Sequence, residues 1–258
     1  MKKFLESLQA VILFDISRAV TTPRLLVAAI LAAVPAFIAL GVRFSTDIPA
    51  DTRVWAALLY ALVPEAICLL SLLLWMCPAI QSHLESKTWV YLAIRPHGRR
   101  AMLLGAFATA VVWTVAVGVA SAAMTILAAQ PPDALRLFTV ICGLVILSAV
   151  GRGAIFALVS TIMPRRAMVL SVVYTLIFEF LAGFLPAIVN QFTVALRLRS
   201  LLVQGMGWKT SMLRELKLFF DPEPAWIQIG AILTITIVSL TAAVIVLELR
   251  QFGTPDET

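Results

Sequence analysis

Residues 101–129 form a run of twenty-nine without one charged side chain. At 1.5 Å of rise per residue, a helix of ~20 apolar residues already crosses the ~30 Å hydrocarbon core of a bilayer. A run this long and this apolar can be buried throughout only as a membrane span, and in lipid only a helix satisfies its own backbone. The rest of the chain follows suit. It is 61% hydrophobic and 13% charged, and its mean hydropathy of +0.99 lies outside the range of soluble domains. Six runs are long enough to cross: about 24–42, 54–80, 101–129, 134–163, 167–186 and 225–249. The predicted class is therefore an all-α integral membrane domain over residues 1–258, with six spans.

The breaks between the runs carry the remaining information. Residues 1–22 place Phe4, Leu8, Val11, Ile12 and Ile16 at helical spacing among charges, which predicts an interfacial helix lying on the membrane. Thr22 and Pro23 mark a helix start, with Thr22 as the cap. Pro35 should kink the first span, and Pro64 should break the second. Pro131-Pro132-Asp133 predicts a tight turn. Gly118, Ala122 and Ala123, with Gly143 on the next run, should let neighbouring backbones approach closely. After Pro186 the chain is too polar to cross. Its amphipathic pieces, 188–204 and 208–220, are separated by a hinge at Gly205-Met206-Gly207, and the whole segment 187–224 is expected to fold back as external, re-entrant helices.

Orientation follows from Lys and Arg in the short loops. One side collects Lys2, Lys3, Arg18, Arg24, Lys87, Arg95, Arg99, Arg100, Arg165, Arg166 and Arg250. Leaving aside 187–224, the other has Arg43, Arg53 and Arg136. Both termini are thus expected in the cytoplasm. The formal charge of +6 reads as this topology signal, with no nucleic-acid partner.

Between the second and third runs lies residues 79–105, the most basic loop. From Gln81 to Ile94 it has neither Gly nor Pro, and its residues sort onto two helical faces. Arg95-Pro96 then ends the helix. Glu85, Lys87, Thr88, Tyr91, Leu92, Arg95, Pro96, Arg99, Leu104 and Gly105 resemble the motif that follows the second span in permeases of the ABC-2 family of ATP-binding-cassette transporters. Ala106 departs from it, where members often carry Lys. Glu179, Pro186 and residues 196–202 resemble a second family stretch.

The resemblance implies a coupling helix, with Glu85, Ser86, Lys87, Thr88, Trp89, Arg95 and Arg99 meeting a separate ATPase. It also implies two permeases, identical or homologous, with two ATPases in a bacterial inner membrane. The chain would be an exporter subunit and not itself an enzyme. No phosphate-cradling Gly-x-x-x-x-Gly-Lys-Ser/Thr loop occurs, so ATP and Mg would be held by the partner. A non-transporting scaffold or mechanotransmitter driven by the same kind of ATPase is the alternative. A secondary transporter ranks last, for want of an inverted repeat.

Glu65 and Glu179 are the costly residues, since a carboxylate at the bilayer centre costs at least ~2.5 kcal/mol. Glu65 lies about 16 Å into its span, and Glu179 about 18 Å into its own. Either lines a path or pairs with a cation, or else each is a protonated acid bonded to backbone around Pro64 or Pro186. Arg152, between Gly151 and Gly153, is expected to snorkel towards the cytoplasmic face. Cys68 and Cys77 are nine residues apart, on opposite helix sides, and predict no shared metal. His83 and His97 are expected at the surface.

Overall fold

The computed structural model describes residues 9, 11–16, 20–44, 51–85, 98–181, 193–208 and 223–249, and every regular element among them is helical. Ser86, Lys87, Thr88, Trp89, Arg95, His97 and Pro186 lie outside the described residues, as do 187–192 and 209–222. After a helical piece at 11–16 come α1 (Thr22–Phe44), α2 (Thr52–Glu85), α3 (Gly98–Ala129) and α4 (Ala134–Ile162). There follow α5 (Ala167–Tyr174, continued as a π-helix over Thr175–Leu181), α6 (Val194–Gly205) and α7 (Ala225–Leu249). Helices α1, α2, α3, α4 and α7 are each long and apolar enough to cross a membrane. The chain is thus an all-helical, multi-pass membrane protein by length and composition. The described part of α5 is shorter, about 22 Å of rise.

Pro64 does not break α2, contrary to the expectation from sequence. A proline lacks the N–H for an i→i−4 bond and its ring crowds the preceding turn. The chain absorbs both faults by widening to a π-helix over Ala61–Ile67, so that the Cys68 amide bonds the Val63 carbonyl, five residues back. Pro35 likewise stays within α1. Helix α1 opens at Thr22 itself, and the Leu25 amide bonds the Thr21 carbonyl, one residue before the predicted cap. The Pro131-Pro132-Asp133 turn forms as predicted, with Gln130 just before it and Asp133, its last residue, at positive φ.

Helix α4 is the hub, packing against α2, α3, α5, α6 and α7, while α1 lies on α3. Gly118 makes the α3–α4 contact possible: a Cβ there would stand 2.7 Å from Val145 Cγ1. Gly143, expected at the same kind of contact, has nothing within 4 Å of its Cβ position and takes no part. Helices α1 and α7 are peripheral, with Phe37, Trp226, Ile237 and Val238 exposed. In a bilayer, such faces need no further cover.

The helices run alternately between two ends of the bundle. At one end the Arg43 guanidinium bonds the Ala128 carbonyl and Gln130, and Arg136 donates twice to the Gly205 carbonyl, at 3.1 and 3.0 Å. This places the last turn of α6 at the end where α4 begins. At the other end Arg100 pairs with Glu248, joining the start of α3 to the end of α7. Helix α6 stops in a Schellman cap: Gly207 takes φ +68, the Trp208 amide bonds the Val203 carbonyl and the Gly207 amide that of Gln204. Helix α6 therefore ends at Gly205, and the piece that the expected hinge at Gly205 and Gly207 would join to it lies, from residue 209, outside the described residues.

Candidate functional site: a buried ion cluster among four helices

Where α2, α4, α5 and α6 converge, one arginine meets two glutamates. Arg152 of α4 is 1% exposed, Glu179 2% and Glu65 8%. The guanidinium uses all three of its nitrogens. Nη2 bonds Glu65 Oε2 and lies 2.9 Å from Glu179 Oε2, and Nε lies 3.2 Å from the same Glu179 oxygen. Nη1 donates to the Pro64 carbonyl at 2.8 Å and to Ser148 Oγ at 3.0 Å. Ser148 in turn donates to the Pro64 carbonyl at 2.9 Å. Because the π-helical register takes the Cys68 amide to Val63, the Pro64 carbonyl is open to these two donors from α4.

The carboxylates are held from their other sides. The Tyr60 hydroxyl donates to Glu65 Oε1, and the Ala195 carbonyl stands 3.2 Å from the same hydroxyl. Glu179 Oε2 accepts the Ala195 amide at 3.1 Å, and the Tyr174 hydroxyl lies 3.5 Å from its Oε1. Ala195 is the second residue of α6, so Glu179 caps that helix from another element. Thr193 accepts the next amide, from Leu196, at 3.4 Å. A carboxylate at a helix N-terminus also meets the positive end of the helix dipole. Formally one guanidinium faces two carboxylates, and this ring of hydroxyl and amide donors carries the excess negative charge. Buried charges persist when every lone pair and proton is matched in this way.

The glycines beside Arg152 explain how it reaches the centre. A Cβ at Gly151 would stand 3.1 Å from Ile232 and 3.3 Å from Val194, and one at Gly153 3.2 Å from Phe107 and 3.3 Å from Leu72. Both flanks of α4 are thus in close contact with neighbouring helices. The expectation that Arg152 snorkels to the interface is overturned: its polar partners lie inside the bundle. The cation paired with Glu65 and Glu179 belongs to the chain itself. Both glutamates sit in π-helical segments, Ala61–Ile67 and Thr175–Leu181, so one cluster ties together the two widened turns.

The other predicted residues fall elsewhere. Glu85 is exposed at the end of α2 and accepts from Gln81 Nε2 at 2.7 Å. Arg99 donates to the Glu248 carbonyl at 3.3 Å, on the last turn of α7. His83, expected at the surface, is 6% exposed, and its Nε2 stands 4.0 Å from Asp15 Oδ1. The helical piece at 11–16 covers it, with Val11 and Ile12 against Gly105. Cys77 Sγ donates to Ser171 Oγ at 3.3 Å, whereas Cys68 Sγ lies beside Gly118. Among the described residues no three metal-ligating side chains converge.

Sequence reasoning missed Tyr60, Tyr174, Ser148 and the central place of Arg152. A charge-balance argument would have found the last. In lipid, two midplane glutamates demand a partner, and Arg152 is the one basic residue deep within a run. No protein-family profile and no curated protein matches this chain.

Proposed function

We propose that the chain is the membrane-spanning permease subunit of an ATP-driven transporter of the ABC-2 type, working as an exporter. Six spans cross the bacterial inner membrane, and α5 belongs to the fifth of them. Both termini and the 81–100 coupling region face the cytoplasm, where Arg99, Arg100, Arg165 and Arg166 gather. Two copies, or this chain and a homologue, assemble with two ATPase subunits that hold ATP and Mg.

The observation that carries this reading is the return of the chain after α5. Helix α6 is too short to cross and runs from Glu179 of the preceding helix, which bonds its first turn, to the bundle end where α4 begins. A fifth span followed by helical elements that dip back from the outside is what the resemblance implies. The exposed Glu85, at the end of α2, stands at the opposite end of the bundle, where a cytoplasmic ATPase would dock.

The test is to isolate the chain from its native membranes. An ATPase should co-purify in equal stoichiometry, and Glu85→Ala should lower both its retention and its stimulated ATP hydrolysis. Isolation of the chain with no ATPase would overturn the proposal.

One observation favours the mechanotransmitter as a second reading. Glu65 and Glu179 are engaged with Arg152, Tyr60 and backbone groups, so they serve the chain's own packing instead of offering free ligands to a cargo. Transport of any solute by reconstituted complex would decide against this alternative.

A further inference from the structure

A cavity of about 90 Å³ lies in the half of the bundle nearer Arg100 and Glu248, between the 11–16 piece, the start of α1, residues 74–83 of α2 and residues 106–110 of α3. It is walled by groups of both charges, Asp15, Arg24 and His83, together with the hydroxyl-bearing Ser82 and Thr109. The space is several times what one water needs. Thr109 is 7% exposed, yet its hydroxyl has no hydrogen-bond partner. A hydroxyl can donate, so the unpartnered Thr109 hydroxyl leaves room for an acceptor in the cavity. The Arg24 guanidinium stacks over Trp75 at 5.4 Å, and Trp75 stacks on Trp113 at 5.2 Å. Cation and rings are thus layered, with the Arg24 guanidinium over the indole face.

We propose that this cavity seats the headgroup of a phospholipid carrying both a phosphate and an amine. The phosphate takes the positions facing Arg24 and the Thr109 hydroxyl. Asp15 receives the ammonium, and its carboxylate disfavours a headgroup that is only anionic. Leu13 and Phe14, 68% and 54% exposed beside Asp15, give the acyl chains an apolar flank. A soluble phosphoethanolamine would satisfy the polar groups but make no use of that flank. The site is independent of the ATPase reading, because it requires only a bilayer.

Native mass spectrometry of the intact chain, released from nanodiscs of mixed phosphatidylethanolamine and phosphatidylglycerol, tests the proposal. The wild type should retain one phosphatidylethanolamine per chain. Thr109→Val and Arg24→Gln should each cut retention by about tenfold, as for loss of one good charge-assisted hydrogen bond. Thr109→Ser should restore it, which separates loss of the hydroxyl from misfolding. Asp15→Asn should abolish the preference over phosphatidylglycerol while leaving total lipid retention intact. Equal retention in all variants, or a wild-type preference for phosphatidylglycerol, would overturn the site. So would displacement of the bound lipid by millimolar phosphoethanolamine or inorganic phosphate, which would assign the cavity to a soluble ligand.

Discussion

Two arginine–glutamate contacts in this protein use the same chemistry and should have opposite consequences. At the bundle end, Arg100 pairs with Glu248 with both side chains about half exposed, at 47% and 40%. In the interior, Arg152, at 1% exposure, pairs with Glu65 and Glu179, at 10% and 1%, with Tyr60, Ser148, the Pro64 carbonyl and the Ala195 amide completing the shell. At the surface, water replaces a lost partner and salt screens what remains. In the interior nothing replaces it. An exposed pair is therefore a weak clasp, whereas the buried cluster fixes which faces of four helices can meet. Its specificity comes from the cost of leaving any one member unmatched.

The comparison can be broken most forcefully at Arg152. Arg152→Met leaves two carboxylates facing each other in a dry interior, and should destabilise the chain by about 3–5 kcal/mol, the cost of breaking a buried pair. A fall in unfolding temperature and in yield from membranes would register it. Glu179→Leu comes next, because it strips both Arg152 and the Ala195 amide of an acceptor. It should cost roughly 3 kcal/mol and loosen α6, seen as faster amide exchange at 194–198. Glu179→Gln keeps an acceptor for the amide and should fold, at a cost of about 1 kcal/mol. If Glu179 instead lines a transport path, Glu179→Gln will assemble normally yet lose transport.

Smaller effects sharpen the contrast. Gly151→Val would push Cγ atoms into Ile232 and Val194, and overpacking of this kind costs about 1–3 kcal/mol. It tests whether close approach of α4 to α6 and α7 is what carries Arg152 to the centre. Last, Glu248→Gln at the exposed pair should leave the unfolding midpoint unchanged. A large shift there would erase the distinction between the two regions.

How much of this was legible beforehand depends on which physical rule each element obeys. The spans were readable because apolar length is nearly the whole requirement for crossing a bilayer. Residues 134–163 and 225–249 match α4 and α7 within one residue. Pro64 misled because a proline rule predicts loss of a hydrogen bond, and cannot say whether the helix stops or widens. Arg152 was misjudged for a similar reason. Snorkelling is judged one residue at a time, whereas pairing needs the depths of two.

Those depths were in fact calculable. Arg152 lies ten residues before the end of α4 and Glu179 twelve residues after the start of α5. That puts both about 15–18 Å from the same end of the bundle. What no count along the chain supplies is rotation about each helix axis. That is set by the small faces of Gly151 and Gly153 packing against α2, α3, α6 and α7. His83 was hidden for a different reason, since its cover comes from Asp15, 68 residues earlier.

The central claim is that Arg152, Glu65 and Glu179 form one electrostatic unit, stabilising only when complete. The most direct measurement compares the thermal unfolding of Arg152→Met with that of the triple variant Arg152→Met, Glu65→Gln and Glu179→Gln in the same detergent. Removing the two negative charges along with the positive one eliminates the unmatched carboxylates. The triple variant should therefore unfold at a clearly higher temperature than Arg152→Met alone, although it carries two more substitutions. A triple variant less stable than the single, with losses that simply add, would show three independent side chains and contradict the account.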